Sequence, residues 1–467
     1  MVSTAIKRAD HLPLRYMQEA MEMQSLVNFT PLPYAHITPA VTRMQVRKSL
    51  IDSLTEQVLR PVKGGIINDR SQTSGATAKK ESIRPARWRG GNRITENDAF
   101  FSELVAHFAM DGAYVSCVRY GAGHINDTFC LTVEREGQQT RYILQRINHR
   151  LFKNVGELMH NIELVTAFCR ESVLARGGDP SRECLQIVPT KTGESYYFDG
   201  TDYFRVYVFI EGATTYQSVR APRDFYESAV AFGRFASLLA KFDASQLYEV
   251  LPDFHNTRVR YRNFLAAVEA DACGRAHEVQ PEITWVKEHS SLCGKIVDRI
   301  ESGEIPLRVT HNDTKLNNVM LDDQTGEGLA VIDLDTVMPG SLCYDFGDSI
   351  RFGCNSGAED EPDLTRVHFR FDLYETYLAG YLSAVGDGIT ETERRYLAMG
   401  AILMTYECGM RFLTDYLEGD VYFRTTRPGQ NLDRAHTQFR MVDEMLAVYD
   451  RMLAAATKPF HGKPRRR

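Results

Sequence analysis

No C-x-x-C pair occurs anywhere in the 467 residues, and the nine cysteines, an odd number, are scattered from Cys117 to Cys408. That spacing speaks against a zinc site and against a disulfide framework, so reduced thiols and a cytoplasmic location are expected. No apolar run approaches the roughly 18 residues that a membrane helix needs. The first residues also lack the charged-then-apolar pattern of a signal peptide, so no membrane partner is expected. The formal net charge is only -6, which leaves no electrostatic footprint for nucleic acid. Internal repeats and low-complexity blocks are missing too. What is plentiful is core: 43% of the residues are hydrophobic, enough at this length for two or three compact units. Charge is uneven, with about twice as many Lys and Arg as Asp and Glu before residue 95, a basic tail at Lys463 and Arg465 to Arg467, and an acidic remainder.

Residues 1–93 mix short apolar patches with a run rich in Gly, Ser, Thr and basic residues. Disorder is expected there, apart from a short helix around Met17 to Val27, and a partner-binding arm is the alternative. Order begins at Thr95, where T-E-N-D resembles a capping box and Phe101, Leu104, Val105 and Phe108 follow at helical spacing. Alternating, β-branched and aromatic segments then predict strands over VSCVRYGAG, NDTFCLTVER, RYILQRI, LQIVPT, ESYYFDG and YFRVYVFIEG, interrupted by a helix with the stripe Val155, Leu158, Ile162, Val165, Phe168. From Ala221 the period becomes helical. A long helix carries Phe232 to Phe242 and a charged one runs from Trp285 to Ile300. Three more follow, marked by Tyr374 to Leu382, by the box Thr390-x-x-Glu393 running to about Leu417, and by Phe439 to Leu453. The expectation is an α+β, two-lobed chain: an extension over 1–93, a sheet-rich lobe over 94–212, and a helical lobe over 213–467 with the ligand cleft between the lobes.

The chemistry is concentrated in Arg308 to Gly353. His311, Asp313 and Asn318 stand at H-x-D-x-x-x-x-N, the spacing of the catalytic loop in kinase-like phosphotransferases. Phosphoryl transfer needs a divalent cation to offset the charge of a triphosphate, and magnesium takes a few hard oxygen ligands alongside water and phosphate oxygens. Asn318 and Asp333 suit it, Asp333 closing the apolar strand that begins at Leu329, a hairpin's length beyond Asn318. The literal Asp345-Phe346-Gly347 follows a Pro-Gly turn too far along the chain to share that metal. Asp345 is instead expected to accept backbone hydrogen bonds from the catalytic loop, and His311 to brace it. Asp313 is expected to orient the attacking hydroxyl and take its proton late. Glu407, Arg411 and Asp415 fall at successive i, i+4 positions, which on pattern alone reads as a solvated ladder of ion pairs.

HNDTKLNNVMLD with AVIDLDTVMPGSLCYDFGDSIRFG resembles the aminoglycoside-phosphotransferase-type kinase family. The likeness extends over YGAGHINDTF, YILQRIN, FRVYVFIEGA, EDEPDL and ECGMRFLTDYLEGDVYFRTTRPGQNLDRAHTQFR, about residues 95–455. Within that family the likeness is to kinases of N-acetylhexosamines, and it implies phosphorylation at the anomeric hydroxyl of N-acetylglucosamine or N-acetylgalactosamine. The resemblance implies a kinase-like two-lobed fold, ATP with Mg2+, Asp313 as catalytic residue, Asn318 and Asp333 as metal ligands, and sugar contacts from His124, Arg411, Tyr422 and Asp313. Gly121 and Gly123 allow close backbone approach to phosphate in the turn before Asn126, which either donates to phosphate or closes the turn. Where a kinase strand offers a lysine, this chain has Gln145 and Arg146 on opposite faces. Charge favours Arg146 for the triphosphate, with Glu163 or Glu157 as its helix partner. Adenine is expected near Phe209 to Gly212, including Glu211. The rival readings are a kinase of another small alcohol, aminoglycoside-like or choline-like, whose cationic acceptor needs an acidic pocket, and a non-catalytic pseudokinase sensor, which intact Asp313, Asn318 and Asp333 oppose.

Overall fold

The change of hydrophobic period near Gly212 becomes a change of architecture. The computed structural model describes residues 98–121 and 125–458; the expectations for residues 1–93, for the Thr95 cap and for His124 and Gly123 lie outside the described residues. Helix α1 (Asp98–Val105) turns Phe101, Leu104 and Val105 inward, and Phe108 beyond it is equally buried. These side chains share one apolar cluster with Phe129, Leu131, Val133, Leu144, Phe204 and Val206, which is one face of an antiparallel sheet. Its strands are β1 (Ala113–Arg119), β2 (Asp127–Arg135), β3 (Gln138–Ile147), β4 (Ile187–Val188), β5 (Tyr197–Phe198) and β6 (Tyr203–Val208), in the order β1-β2-β3-β6-β4 with β5 also on β6. Because side chains alternate along a strand, the opposite face carries Ile143, Gln145, Arg205 and Tyr207. Helix α2 (Val155–Ala175) packs there, its first turn capped by Asn154, whose Oδ1 accepts from the Glu157 amide.

The chain leaves the sheet at Gly212, whose φ of +63° lies in the left-handed region open to glycine. At once it pairs β7 (Ala213–Thr214) with β9 (Val319–Asp322) of the second lobe. That lobe is built on α3 (Pro222–Leu238), α4 (Thr257–Ala270), α5 (Leu342–Gly353), α6 (Phe371–Val385), α7 (Glu391–Glu418), α8 (Gln430–Ala447) and α9 (Tyr449–Thr457). The Thr390/Glu393 capping box is present in full at the start of α7. Two helices expected to be continuous are broken. The charged one divides into Gln280–Glu288 and Val297–Glu301, because Ser290, Ser291 and Gly294 lie between and favour turns over helix. The last one divides at Val448, whose φ of -117° leaves the helical region. Phe242 lies past the end of α3 and packs edge-on against Phe168 of α2, centroids 5.3 Å apart.

Helices α5 and α7 cross at two glycines. A Cβ on Gly347 would lie 2.3 Å from the Gly400 carbonyl oxygen, and one on Gly400 would lie 2.2 Å from that of Cys343. The glycine of the literal Asp-Phe-Gly thus serves a helix crossing. No helix among the described residues is long and apolar enough to cross a membrane.

Candidate active site

Two short pairings frame the catalytic stretch: β8 (Arg308–Thr310) with β11 (Met338–Gly340), and the hairpin of β9 with β10 (Gly328–Val331). Between β8 and β9 the chain is fixed atom by atom. Asp345, in the first turn of α5, accepts the amides of His311 (2.9 Å) and Asn312 (2.8 Å) on its two oxygens. Asp348, one turn on, accepts the Thr314 amide at 3.0 Å. His311 is fully buried. Its Nδ1 accepts from the Asp313 amide (3.3 Å), so the ring proton sits on Nε2, which donates to the Ile332 carbonyl at 2.9 Å. The imidazole thereby ties the loop to the end of β10. In parallel, the Ile332 amide donates to the Asn318 carbonyl at 2.9 Å, which brings Asp333 alongside Asn318.

Asn318 donates its side-chain amide to the carbonyl oxygen (2.8 Å) and to Oδ2 (3.1 Å) of Asp313. Asp313 Oδ1 meets Lys315 Nζ at 2.7 Å. Burial works against ionising Asp313, but the Lys315 ammonium outweighs it and holds the carboxyl below the ordinary aspartate range. Asp333 is the opposite case. Its φ of +62° is uncommon for a residue with a side chain and turns the carboxylate out of the strand. That side chain is solvent-exposed, though protein atoms packed beside the carboxylate partly desolvate it. Together with the charges of Asp335 and Asp313, this pushes its pKa up to about 7. Neither the Asp333 carboxylate nor Asn318 Oδ1 has a hydrogen-bond partner among the described residues. Two hard oxygens and uncompensated negative charge fit a divalent cation of the magnesium type. Among the described residues no group of three or more His, Cys, Asp or Glu could hold a metal without other ligands, so phosphate and water oxygens would complete the shell.

Across the cleft the sheet lobe departs from expectation. Arg146 faces away from the acidic turn: Nε donates to Asp127 at 2.9 Å and Nη1 to Asp202 at 3.1 Å. The ladder sets Arg146 directly opposite Asp127, so a carboxylate was waiting on that face, and Glu163 stays exposed on α2. Gln145 takes the inner face, accepting from Arg205 Nε (3.0 Å) and Nη2 (2.8 Å). Asn126 is likewise engaged, donating to Asp335 Oδ2 at 2.5 Å and accepting the Asn148 amide at 2.9 Å; it closes its turn and holds Asp335 rather than offering a free donor to phosphate. Gly121 is exposed at the end of β1 with φ +74°. The Phe209 ring lies under the Arg141 guanidinium, 3.9 Å away, with Tyr120 edge-on at 5.6 Å. The Glu211 carboxylate is paired with that same Arg141.

On the far side of the catalytic loop, the expected ladder on α7 is not a solvated one. Glu407 is fully buried; it accepts from Thr257 Oγ1 at 2.6 Å and lies 2.9 Å from His255 Nδ1, while His255 Nε2 reaches the Asn312 carbonyl at 3.3 Å. Burial opposes its ionisation, yet His255 beside it keeps Glu407 below the usual range. Asp415 accepts three successive amides, Val421 (2.8 Å), Tyr422 (2.7 Å) and Phe423 (2.9 Å). Arg411, between the two, lies against Phe254, Tyr422 and Phe423 with its guanidinium carbon 5.3, 5.6 and 5.4 Å from their centroids. Nη2 is 3.5 Å from the Tyr422 hydroxyl.

The structure therefore brings Asp313, Asn318 and Asp333 together, with His311 and Asp345 behind them and Arg411 beside Tyr422 one helical turn beyond Glu407. It does not bring Arg146 or Glu163 there. Two residues escaped the sequence reading. Lys315 stood two places after Asp313 in plain view, while Arg205 gave no local signal.

Residues 116–389 match the "Phosphotransferase enzyme family". Among solved structures, an aminoglycoside phosphotransferase from Alicyclobacillus acidocaldarius is 13% identical over 75% of this chain and 95% of that one, with a TM-score of 0.51; this likeness shows the two-lobed, kinase-like fold. A choline kinase from Cryptosporidium parvum is 14% identical over 76% of this chain and 98% of its own (TM-score 0.48). A microcompartment-associated aminopropanol kinase is 14% identical over 78% and 99% (TM-score 0.47).

Proposed function

The chain belongs to the phosphotransferase enzyme family, and on that footing we propose that it is an N-acetylhexosamine 1-kinase, moving the γ-phosphoryl group of ATP to the anomeric hydroxyl of N-acetylglucosamine or N-acetylgalactosamine. The acceptor side carries the reading. A cationic acceptor such as choline or an aminoglycoside calls for free carboxylates, and both acids flanking Arg411 are already engaged, Glu407 by His255 and Thr257 and Asp415 by three amides. What this wall offers instead is a guanidinium and a phenol at the edge of an aromatic surface, donors suited to the hydroxyls and acetamide carbonyl of a neutral sugar.

In this reading Asp313 accepts a hydrogen bond from the anomeric hydroxyl and takes its proton late. Its depressed pKa makes it a weak base, and a hemiacetal hydroxyl, more acidic than an ordinary alcohol, asks less of one. Lys315 brings positive charge next to the point where negative charge builds on the transferring group. Asn318 and Asp333 would hold Mg2+, whose charge offsets that of the triphosphate. Purified protein with ATP and Mg2+ is assayed against free N-acetylhexosamines, choline and an aminoglycoside, and phosphorus NMR locates the product's phosphate. Phosphate at C1 of an N-acetylhexosamine is the expected result; phosphate at C6, or turnover of the cationic acceptors alone, overturns it.

A further inference from the structure

We propose that Arg205 is the positioning residue for the metal-binding turn, supplying from β6 the fixed positive charge that β3, with Gln145 facing inward, does not provide. Its guanidinium is 1% exposed, so it does not reach a ligand itself. Nε and Nη2 are spent on Gln145 Oε1, directly opposite in the ladder. Nη1 rests 3.8 Å from Met159 Sδ of α2, and the guanidinium lies 5.2 Å from the Tyr207 centroid. The remaining interaction leaves the lobe: Nη2 meets Asp335 Oδ1 at 2.5 Å, while Asn126 holds Oδ2.

The sheet lobe therefore holds Asp335 by a hydrogen bond from Asn126 to Oδ2 and by an ion pair, not a hydrogen bond, from Arg205 to Oδ1, and Asp335 sits two residues after Asp333 in a short turn, Leu334–Thr336. Asp333 opens that turn in a left-handed conformation (φ +62°), uncommon for a residue with a side chain though aspartate tolerates it better than most. No hydrogen bond among the described residues holds the Asp333 carboxylate, so its place is set by the backbone, which is tied before it through Ile332 to His311 and Asn318 and after it through Thr336 to the catalytic loop and through Asp335 to the sheet lobe. Without the guanidinium, Asp335 is left as a buried charge beside a second carboxylate, and the turn relaxes to separate them. The consequence reaches the metal before it reaches the acceptor.

The inference rests on the proposed use of a nucleotide with Mg2+ and not on the identity of the acceptor, so its test omits acceptor altogether. Calorimetric titration with ADP is run with and without Mg2+ on the full chain and on Arg205→Met and Arg205→Lys. In the wild type Mg2+ should tighten ADP binding. In Arg205→Met that gain should fall at least tenfold while ADP affinity without metal stays within about threefold, and Arg205→Lys should recover most of it. An undiminished gain in Arg205→Met, or equal loss with and without metal as a merely structural role predicts, overturns the proposal. Should Arg205→Met fail to fold, Arg205→Gln, which removes the charge and keeps a polar side chain opposite Gln145, takes its place; an undiminished gain there has the same meaning. A wild type that binds no ADP overturns the nucleotide reading as well, whereas one that binds Mg-ADP and phosphorylates no sugar overturns only the acceptor.

Discussion

Asp313 and Asp345 face the same loop and are pushed in opposite directions. Burial raises Asp345, which has two amides and no cation in hydrogen-bond contact, whereas Lys315 holds Asp313 down. Asp345 braces the loop, and Asp313 is, in the proposed reading, the charge kept in place for chemistry. Asp313→Asn preserves shape and removes that charge, so turnover should fall by about 10^3-fold or more, at the upper end of what a positioned base contributes, with ADP affinity changed by no more than a few fold. Single-turnover kinetics alongside calorimetry separate the two effects, and a large loss of ADP affinity would contradict the assignment. This trio of Asp313, Asn318 and Asp333 was legible in the sequence because the loop and the β9–β10 hairpin are local, so spacing alone fixes which residues meet. Arg146 misled because a strand's inward face is decided by its ladder partners. Only the register of β3 against β2 and β6 shows that Asp127 claims Arg146 and that Gln145 turns in.

Helix α7 divides its work along one stripe: Glu407 supports the catalytic loop through His255, Arg411 lies against Phe254, Tyr422 and Phe423 where the proposed reading puts the acceptor, and Asp415 fixes the loop that carries Tyr422. Sequence showed the i, i+4 spacing and the N-terminal box, but not that the stripe faces inward, since hydrophobic periodicity is weak in a helix buried nearly all round. Asp415→Ala removes the acceptor of three amides at once. Each lost hydrogen bond is worth about 1 kcal/mol, so the loop should loosen and the acceptor KM should rise about tenfold, with ADP affinity unchanged. Arg411→Ala should raise the acceptor KM as well, and steady-state kinetics in each substrate report the split; an effect confined to the nucleotide would refute the division. The crossing of α5 and α7 makes a stability prediction. Gly400→Ala puts a methyl against the Cys343 carbonyl, and such overpacking costs about 1–3 kcal/mol, read as a lower denaturation midpoint at unchanged slope. An unchanged midpoint would mean that the helices separate freely.

The passage from strands to helices was visible as a switch of hydrophobic period from Ala221, but the contacts that join the sheet-rich and helical parts were not, because they link residues far apart in sequence. Arg182 is the clearest of them. It follows α2 in the sheet lobe, and its Nη2 donates to the carbonyls of Glu211 (3.2 Å) and Gly212 (3.2 Å) and to Asp322 Oδ2 (2.9 Å) in the helical lobe. One guanidinium thus holds both the connecting strand and the β9 end on which the catalytic hairpin is hung. Asp322 is held below the usual aspartate range, first by the Thr325 amide and also by Arg182. The Arg182 side chain is 38% exposed, so its ion pair is screened by water and worth at most about 1 kcal/mol. Arg182→Ala should accordingly cost little stability, yet it frees two carbonyls at the hinge and lets the lobes sample wider openings. Because the nucleotide reading places the base at this connection and the acceptor on α7, the KM for ATP should rise about three- to tenfold, while kcat at saturation and the acceptor KM stay within twofold. Equal losses in both substrates would mean that Arg182 sets the fold of the whole cleft, and an unchanged ATP KM would mean that the lobes are held together elsewhere, by contacts such as the Arg205–Asp335 pair and the Asn161 bonds to Tyr248 and Val337.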